Sequence, residues 1–320
     1  MNGVLIIDKS SGLTSHDVVH RVRRILGQRS VGHLGTLDPM ATGVLPLVIG
    51  SFTRLAQFYL RSEKTYEGTI RFGFSTDTYD AEGAPTSVPA NVALSGKEVE
   101  GLAGKFRGLI WQTPPPFSAK KIKGVPAYKF ARQQKEVRLN PVEVEIKELE
   151  ILSVDADRAY FRARVASGTY MRSIAHDMGQ TLGSGAHLES LRRTSVAEFT
   201  LAEAHTLEEI QSAQTDPQPT DDCHPDRSVA FPKGKGSGVE GPCVLPEALF
   251  VHPRKLLPAF PSVTADEMAT AHIRSGRPVN LPELSRTRQV KVFSGQRDLI
   301  AIATRVAGTL FHPKIVLCGS

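Results

Sequence analysis

A two-part α+β chain is what the sequence predicts, and three observations carry that expectation. Segments that alternate apolar and polar residues, as half-buried strands do, are interleaved over the first two thirds of the chain with capped segments of helical period. At 320 residues the chain can bury a sizeable core and divide into two domains. Between the two parts, from about Gln214 to Leu245, Pro217, Pro219, Pro225, Pro232 and Pro242 mix with Gly234, Gly236, Gly238 and Gly241, the texture of a linker or insertion. The expected divisions are 1–212, 213–248 and 249–320.

Val4 to Ile7 reads as a short buried strand. Thr14 or Ser15 then caps a helix whose apolar face is Val18, Val19, Val22, Ile25 and Leu26, and Gly27 ends it. The opposite face, His20, Arg21, Arg23 and Arg24, fits either a solvated surface or an RNA contact. Val44 to Ile49 is a strand, Thr53 to Leu60 a short helix, and Lys64 to Phe74 a strand with Tyr66, Gly68, Ile70, Phe72 and Phe74 facing inward. Gly73 to Gly83 is a polar turn rich in acids whose spacing is not that of a calcium loop. Ser95 with Glu98 forms a capping box ahead of Val99, Leu102, Ala103 and Phe106, so a helix begins there and closes before Gly108.

Gln112 to Gly124 is stiffened by Pro114, Pro115 and Pro116 and then turns basic at Lys120, Lys121 and Lys123, a surface loop able to touch phosphates. Val142 to Leu152 and Ala159 to Val165 read as paired strands. Ser167 to Arg172 opens a helix with Ile174, Ala175, Met178 and Leu182 on one face. An arginine at a helix start opposes the macrodipole, so Arg172 needs another reason to be there. Beyond residue 249 a capping box at Thr264 and Glu267, a short helix to Ser275 and Gly276, and strands near Val290 to Phe293, Leu299 to Ala303 and Ile315 to Leu317 make a small β-rich module.

Gly32 to Pro46 stands apart. Gly32, Gly35 and Gly43 permit backbone conformations and close approaches that a side chain forbids, while Pro39 and Pro46 fix φ and remove donors. Asp38 is the one carboxylate of the loop, and Pro39 behind it favours an extended backbone that presents the side chain, as a nucleophile is presented. Taken alone, Gly-Thr-Leu-Asp-Pro also fits a tight turn in which Asp38 caps its own backbone.

Charge and cysteine usage narrow the setting. Lys and Arg number 39 against 33 acids, a net charge of +6 that favours a polyanionic partner. Cys223, Cys243 and Cys318 are an odd set outside the predicted core elements, so no disulfide framework is expected, and Cys223-His224 with distant Cys243 is a poor zinc site. No signal peptide or membrane-spanning apolar run is read, and a cytoplasmic protein is expected.

The run from Gly32 to Pro46, with His33 and Asp38, resembles the catalytic motif of the TruB family of tRNA pseudouridine-55 synthases. Lys64-Thr65-Tyr66, the Gly73 to Gly83 turn, Gln112 to Gly124 continued by Tyr128, Ala131 and Arg132, Gly168-Thr169-Tyr170-Met171-Arg172, and Leu191-Arg192-Arg193-Thr194 follow in that family's order over roughly the first 210 residues. The resemblance implies a pseudouridine synthase fold, a mixed and largely antiparallel sheet flanked by helices, with a PUA-like RNA-binding module at the C-terminal end. It implies isomerisation of uridine 55 in the T arm of tRNA, with no cofactor and no metal; a monomer is the default expectation. Asp38 would be the nucleophile, at C1′ of the ribose or C6 of the base, with Arg172 as its ion-pair partner. Tyr66 would stack on the flipped base and take the C5 proton, although a phenol is a reluctant base without help.

In the same pattern His33, Gly35, Thr36, Tyr170 and Leu191 would hold the substrate, His33 lying where the extruded nucleotide had been. Lys120, Lys121 and Lys123 would touch the RNA backbone. Two departures stand out: Ser10 replaces the proline that follows the family's first lysine, and the 214–245 stretch is longer than usual. A tRNA-binding or folding factor without chemistry is the alternative reading. A hydrolase or phosphotransferase using an aspartate nucleophile would be expected to place a second acid near Asp38, where Leu37 and Met40 stand.

Overall fold

Val4, Leu5, Ile6 and Ile7 are all fully buried, so the first strand is covered on both faces. Alternate residues feed different cores: Leu5 and Ile7 join one apolar cluster, Val4 and Ile6 another. The computed structural model describes residues 1–118, 120–122, 124–127, 130, 133, 139–213 and 245–317, with backbone alone at 121, 122 and 126. The three cysteines, Lys123, Tyr128, Ala131, Arg132 and the 214–244 stretch lie outside the described residues.

The elements run β1 (Gly3–Lys9), α1 (Ser15–Leu26), β2 (Val31–His33), β3 (Thr42–Ile49), a 3-10 turn Gly50–Leu55 leading into α2 (Ala56–Tyr59), β4 (Lys64–Phe72), α3 (Gly96–Gly104) and β5 (Gly108–Gln112). A small hairpin, β6 (Lys121–Ile122) and β7 (Val125–Pro126), precedes β8 (Val142–Asp155), β9 (Arg158–Val165), α4 (Met171–Leu182), β10 (Ala186–Val196), β11 (Phe199–Thr200) and α5 (Leu207–Ser212). Among the described residues the first sheet has the order β1-β3-β10-β4-β9-β8-β5, with β2 beside β3 and β11 beside β10. Every pairing in it is antiparallel except β3 with β10, so the sheet is mixed and largely antiparallel, as expected.

Local chemistry sets the helix ends. Thr14 and Asp17 form a capping box on α1 and Gly27 ends it with a left-handed residue, while Ser95 and Glu98 form the predicted box on α3. The box expected at Thr264 and Glu267 does not form. Thr264 lies in β12 (Ser262–Ala265), and the side chain of Asp266 accepts from Ala269 N, 2.7 Å, as N-cap of α6 (Glu267–Arg274). Asp266 is the nearer cap, and Thr264 is drawn into a ladder opposite Phe293. The inward alternation of β4 holds at Tyr66, Ile70 and Phe72, all in the main core, and Thr69 is buried as well, beside a one-residue slip of the partner strand between Leu188 and Ser190. That strand ends at Phe72, and Phe74 is only half-buried.

The C-terminal part is a five-stranded sheet of order β12-β14-β15-β16-β13, in which β13 is Val279–Asn280, β14 Gln289–Ser294, β15 Asp298–Ala307 and β16 Leu310–Val316. Its Phe293, Leu299, Ile302, Ile315 and Leu317 share one cluster with Val4, Ile6, Val44, Val48, Phe52 and Leu55 of the first part. At roughly 1.5–3 kcal/mol for each large side chain fully buried, that seam holds the small sheet against the large one. Glu198 and Arg54 add polar ties, accepting from Leu257 N at 2.9 Å and donating to Val316 O at 2.9 Å. Among the described residues no helix is long and apolar enough to cross a membrane.

Candidate active site

The loop between β2 and β3 is tied down from several directions before it presents Asp38. Lys9 Nζ donates to Pro39 O (3.1 Å) as well as to Ser10 O and Leu13 O (2.9 and 2.7 Å), and Gly12 N donates to the same Pro39 carbonyl at 2.9 Å. Ser15 Oγ both accepts from Leu37 N (2.8 Å) and donates to Leu37 O (3.1 Å). From the opposite side Arg193, with no exposed surface, donates to Gly35 O (3.1 Å), Thr36 O (3.2 Å) and Val44 O (2.8 Å). Of the three glycines singled out, Gly35 and Gly43 do have positive φ, 134° and 100°, and Gly32 does not. Gly43 is required for space too: a Cβ there would lie 2.2 Å from Arg193 O, across the parallel pairing of β3 with β10.

Asp38 meets Arg172 as predicted. The Arg172 Nη2 donates to Asp38 Oδ1 at 3.1 Å and Nε lies 2.9 Å from Oδ2, off the line a hydrogen bond needs. The Arg172 side chain is 6% exposed against 36% for Asp38, so the carboxylate faces the cavity while the cation stays behind it. Arg172 also serves Asp80, Nη1 to Oδ2 at 3.3 Å, and the carbonyls of Thr78 (3.1 Å) and Phe117 (3.0 Å). This explains a cation in the first turn of α4: two carboxylates outweigh the helix dipole. Gln112, fully buried, fastens that turn by accepting from Tyr170 N (2.8 Å) and donating to Tyr170 O (3.1 Å).

A cavity of about 300 Å³ opens over Asp38. Asp38, Tyr66, Arg172, His33, Gly35, Thr36, Tyr170 and Leu191 all line it, so the structure brings together eight of the predicted residues from four segments. Tyr66 and Leu191 are each 7% exposed and make its apolar floor, and the volume suits one nucleoside. Lys120 is exposed and lies outside this lining; the backbone of Lys121 sits in β6, and Lys123 is not described.

Three further residues shape the electrostatics, and sequence reasoning assigned none of them a role. Arg193 stands opposite Tyr66 in the β4–β10 register; burial pushes the guanidinium below its ordinary value, against the pull of Tyr66 and Asp38. Lys64, in the cavity wall, is held down to about 8 by burial and then by Arg193. Lys9 is likewise lowered to about 8, chiefly by burial, with Asp38 opposing. Asp80 was legible only as part of an acidic turn; it proves buried, fastened by Glu82 N (3.1 Å) and Thr78 Oγ1. Burial also lowers the His33 imidazole, whose Nδ1 accepts from Gly35 N at 3.3 Å, and keeps it uncharged at neutral pH.

Comparison with known proteins agrees with this geometry. A family model described as TruB family pseudouridylate synthase (N terminal domain) matches residues 23–171, and one for the tRNA pseudouridylate synthase B C-terminal domain matches 172–225. The tRNA pseudouridine synthase B of Solibacter usitatus (strain Ellin6076) is 48% identical over 321 residues, spanning 99% of this chain and 100% of its own. That of Aquifex aeolicus (strain VF5) is 46% identical over 216 residues, 67% of this chain and 75% of its own. Among solved structures, a Cbf5-Nop10-Gar1 complex superposes with a TM-score of 0.66 at 22% identity, covering 99% of this chain and 85% of that one, which shows a common fold.

Proposed function

With the chain belonging to the TruB family of pseudouridylate synthases, we propose how its cavity carries out the reaction. The protein is a tRNA pseudouridine synthase, an isomerase that converts uridine 55 of tRNA to pseudouridine. In that reaction the N1–C1′ bond breaks, a C5–C1′ bond forms, the C5 proton leaves and N1 regains a proton. The observation that carries the assignment of roles is the Asp38–Arg172 pair set at a nucleoside-sized cavity floored by Tyr66 and Leu191.

Asp38 is the nucleophile, attacking C1′ or C6 of the flipped uridine, and Arg172 pairs with its carboxylate and aims it. Tyr66 stacks on the base and takes the C5 proton. Arg193, opposite Tyr66 in the β4–β10 register, sets a buried cation on that side of the site. Tyr170 closes the cavity wall, while Gly35 and Thr36, pinned by Arg193, form its rim. His33 fills the space the flipped nucleotide vacates. Base flipping is needed because neither C1′ nor C5 is reachable in a stacked loop.

Outside the cavity, Lys120, Lys121 and Lys123 and the C-terminal sheet grip the T arm by its phosphates. The arginines of the outer sheet do not: Arg158, Arg162 and Arg164 are already paired with Glu189, Glu67 and Glu63. Residues 1–212 carry the chemistry, and 249–320 act as a PUA-like RNA-binding module. The enzyme works as a monomer in the cytoplasm, where its substrate is.

Incubation with an unmodified tRNA transcript and mapping of pseudouridine tests this reading. Product at position 55 alone is expected from the wild type. Asp38→Asn should yield none while binding tRNA within a few-fold, because an amide keeps the shape and is a poor nucleophile. Turnover by that variant near the wild-type rate would sink the assignment of Asp38.

A further inference from the structure

Neither Tyr79 nor His176 lines the cavity, yet both bear on its central ion pair. Tyr79 has φ of 65°, a left-handed backbone that a tyrosine adopts only when its surroundings impose it. Its two neighbours in the chain are the groups that Arg172 grips: Nη1 donates to Thr78 O at 3.1 Å and lies 3.3 Å from Asp80 Oδ2. Something must hold the turn in that shape. The Tyr79 backbone is fastened at both ends, N donating to Thr76 O (3.3 Å) and O accepting from Leu188 N (3.0 Å) of β10, but these bonds leave its ring free to turn.

The ring is held by His176. The two rings lie face to face, centroids 3.8 Å apart and planes within 10°. His176 follows Arg172 by four residues on α4, so one helix face delivers the guanidinium to the flanks of the turn and the imidazole to its middle. Its Nδ1 is buried without a hydrogen-bond partner among the described residues, and burial lowers the imidazole below its ordinary value. Asp177, the next acid along α4, does not take up that nitrogen.

We propose that the His176–Tyr79 stack is a positioning device. It holds Tyr79 in the left-handed conformation, which sets Asp80 and the Thr78 carbonyl against Arg172, and Arg172 in turn aims the Asp38 carboxylate. The proposal rests on the reading of Asp38 as the reacting group. It predicts that the stack matters to the reacting geometry and little to the hold on RNA.

The test is steady-state turnover of an unmodified tRNA transcript by the full chain, with tRNA affinity and thermal melting measured alongside. Tyr79→Ala and His176→Ala should lose kcat by about 10- to 100-fold, the scale of a small misplacement of reacting groups, with KM and affinity within about threefold. Tyr79→Phe and His176→Phe keep two flat rings and should stay within about threefold of wild type in kcat. Tyr79→Gly separates strain from stacking. Glycine adopts positive φ freely, so it should still lose kcat as alanine does if the stack is what aims Arg172.

Wild-type kcat in the alanine variants, recovery in Tyr79→Gly, or a loss confined to KM would each overturn the proposal. Should an alanine variant fail to melt cooperatively, the phenylalanine and glycine variants decide alone: loss of kcat in His176→Phe means that the imidazole itself, not a ring, is needed, and the proposal falls. A wild-type chain that forms no pseudouridine condemns the functional reading instead.

Discussion

Arg193→Lys is the substitution whose consequences the geometry constrains most closely. The guanidinium is fully buried and donates to three carbonyls, Gly35, Thr36 and Val44, while standing opposite Tyr66 in the β4–β10 register. A lysine ammonium keeps the charge but gathers its three donors at one point, whereas these acceptors are spread along the fork of an arginine. At least one carbonyl then loses its partner, and a second is poorly served. An orphaned buried acceptor costs about 1–3 kcal/mol, so a loss of about 3 kcal/mol is expected, sizeable against the roughly 5–15 kcal/mol by which domains are stable. For a chain of this size that lowers Tm by roughly 6–12 °C without preventing folding.

The same change frees the Gly35–Thr36 rim and moves the cation away from Tyr66, so turnover at saturating tRNA should fall by about 10²-fold with KM little altered. Thermal melting and single-turnover assays on purified protein measure both effects. A variant that melts within a degree or two of wild type and turns over at its rate would show that these contacts support neither the loop nor the reaction.

Three other outcomes follow from the same contacts. Arg172→Lys should cost about 10²-fold in kcat with tRNA affinity kept, since one ammonium cannot serve Asp38, Asp80, Thr78 O and Phe117 O together; a parallel rise in KM would refute this. Lys64 titrates near 8 when folded and at its ordinary, higher value when unfolded. The unfolded chain therefore binds more protons between about pH 8 and 10, and stability should rise with pH across that window. Lys64→Met should flatten part of the rise in Tm, and a wild-type profile that is flat or falling there contradicts the burial of this lysine. Replacing Lys120, Lys121 and Lys123 by glutamine should weaken tRNA binding and reduce the salt slope by roughly 0.7–0.9 per lost phosphate contact, with turnover at saturation unchanged. Normal binding with lost turnover would move these lysines from grip to chemistry.

How far each feature could be read from the sequence depended on where its partners lie along the chain. The capping box of α3 was legible because donor and acceptor sit three residues apart, and it forms; for α1 the sequence offered Thr14 or Ser15, and Thr14 proves the cap, boxed with Asp17. The box at Thr264 was misread because Asp266 competes for the same cap and because the ladder that claims Thr264 comes from β14, far along the chain. β10 shows the larger difficulty. Glu189, Ser190, Arg192 and Arg193 do not look like an interior strand, and they become one only because Asp8 receives Arg192 at 2.7 Å and backbone carbonyls receive Arg193.

That contrast separates the two arginines of the site. Arg172 announced itself, since a cation in the first turn of a helix breaks a local rule and demands a partner, and the motif resemblance supplied Asp38 from 134 residues away. Arg193 broke no rule that a sequence displays. Its acceptors are carbonyl oxygens, which every residue carries, so nothing in the letters distinguishes the loop that needs a buried guanidinium from one that does not. Asp80 falls between the two, visible as an acid in a turn but without a stated task until the turn is seen folded against Arg172. A residue whose function is to satisfy backbone is thus the kind that reading a chain in one dimension overlooks, and in this site two arginines of equal weight, one facing carboxylates and one facing carbonyls, divide along that line.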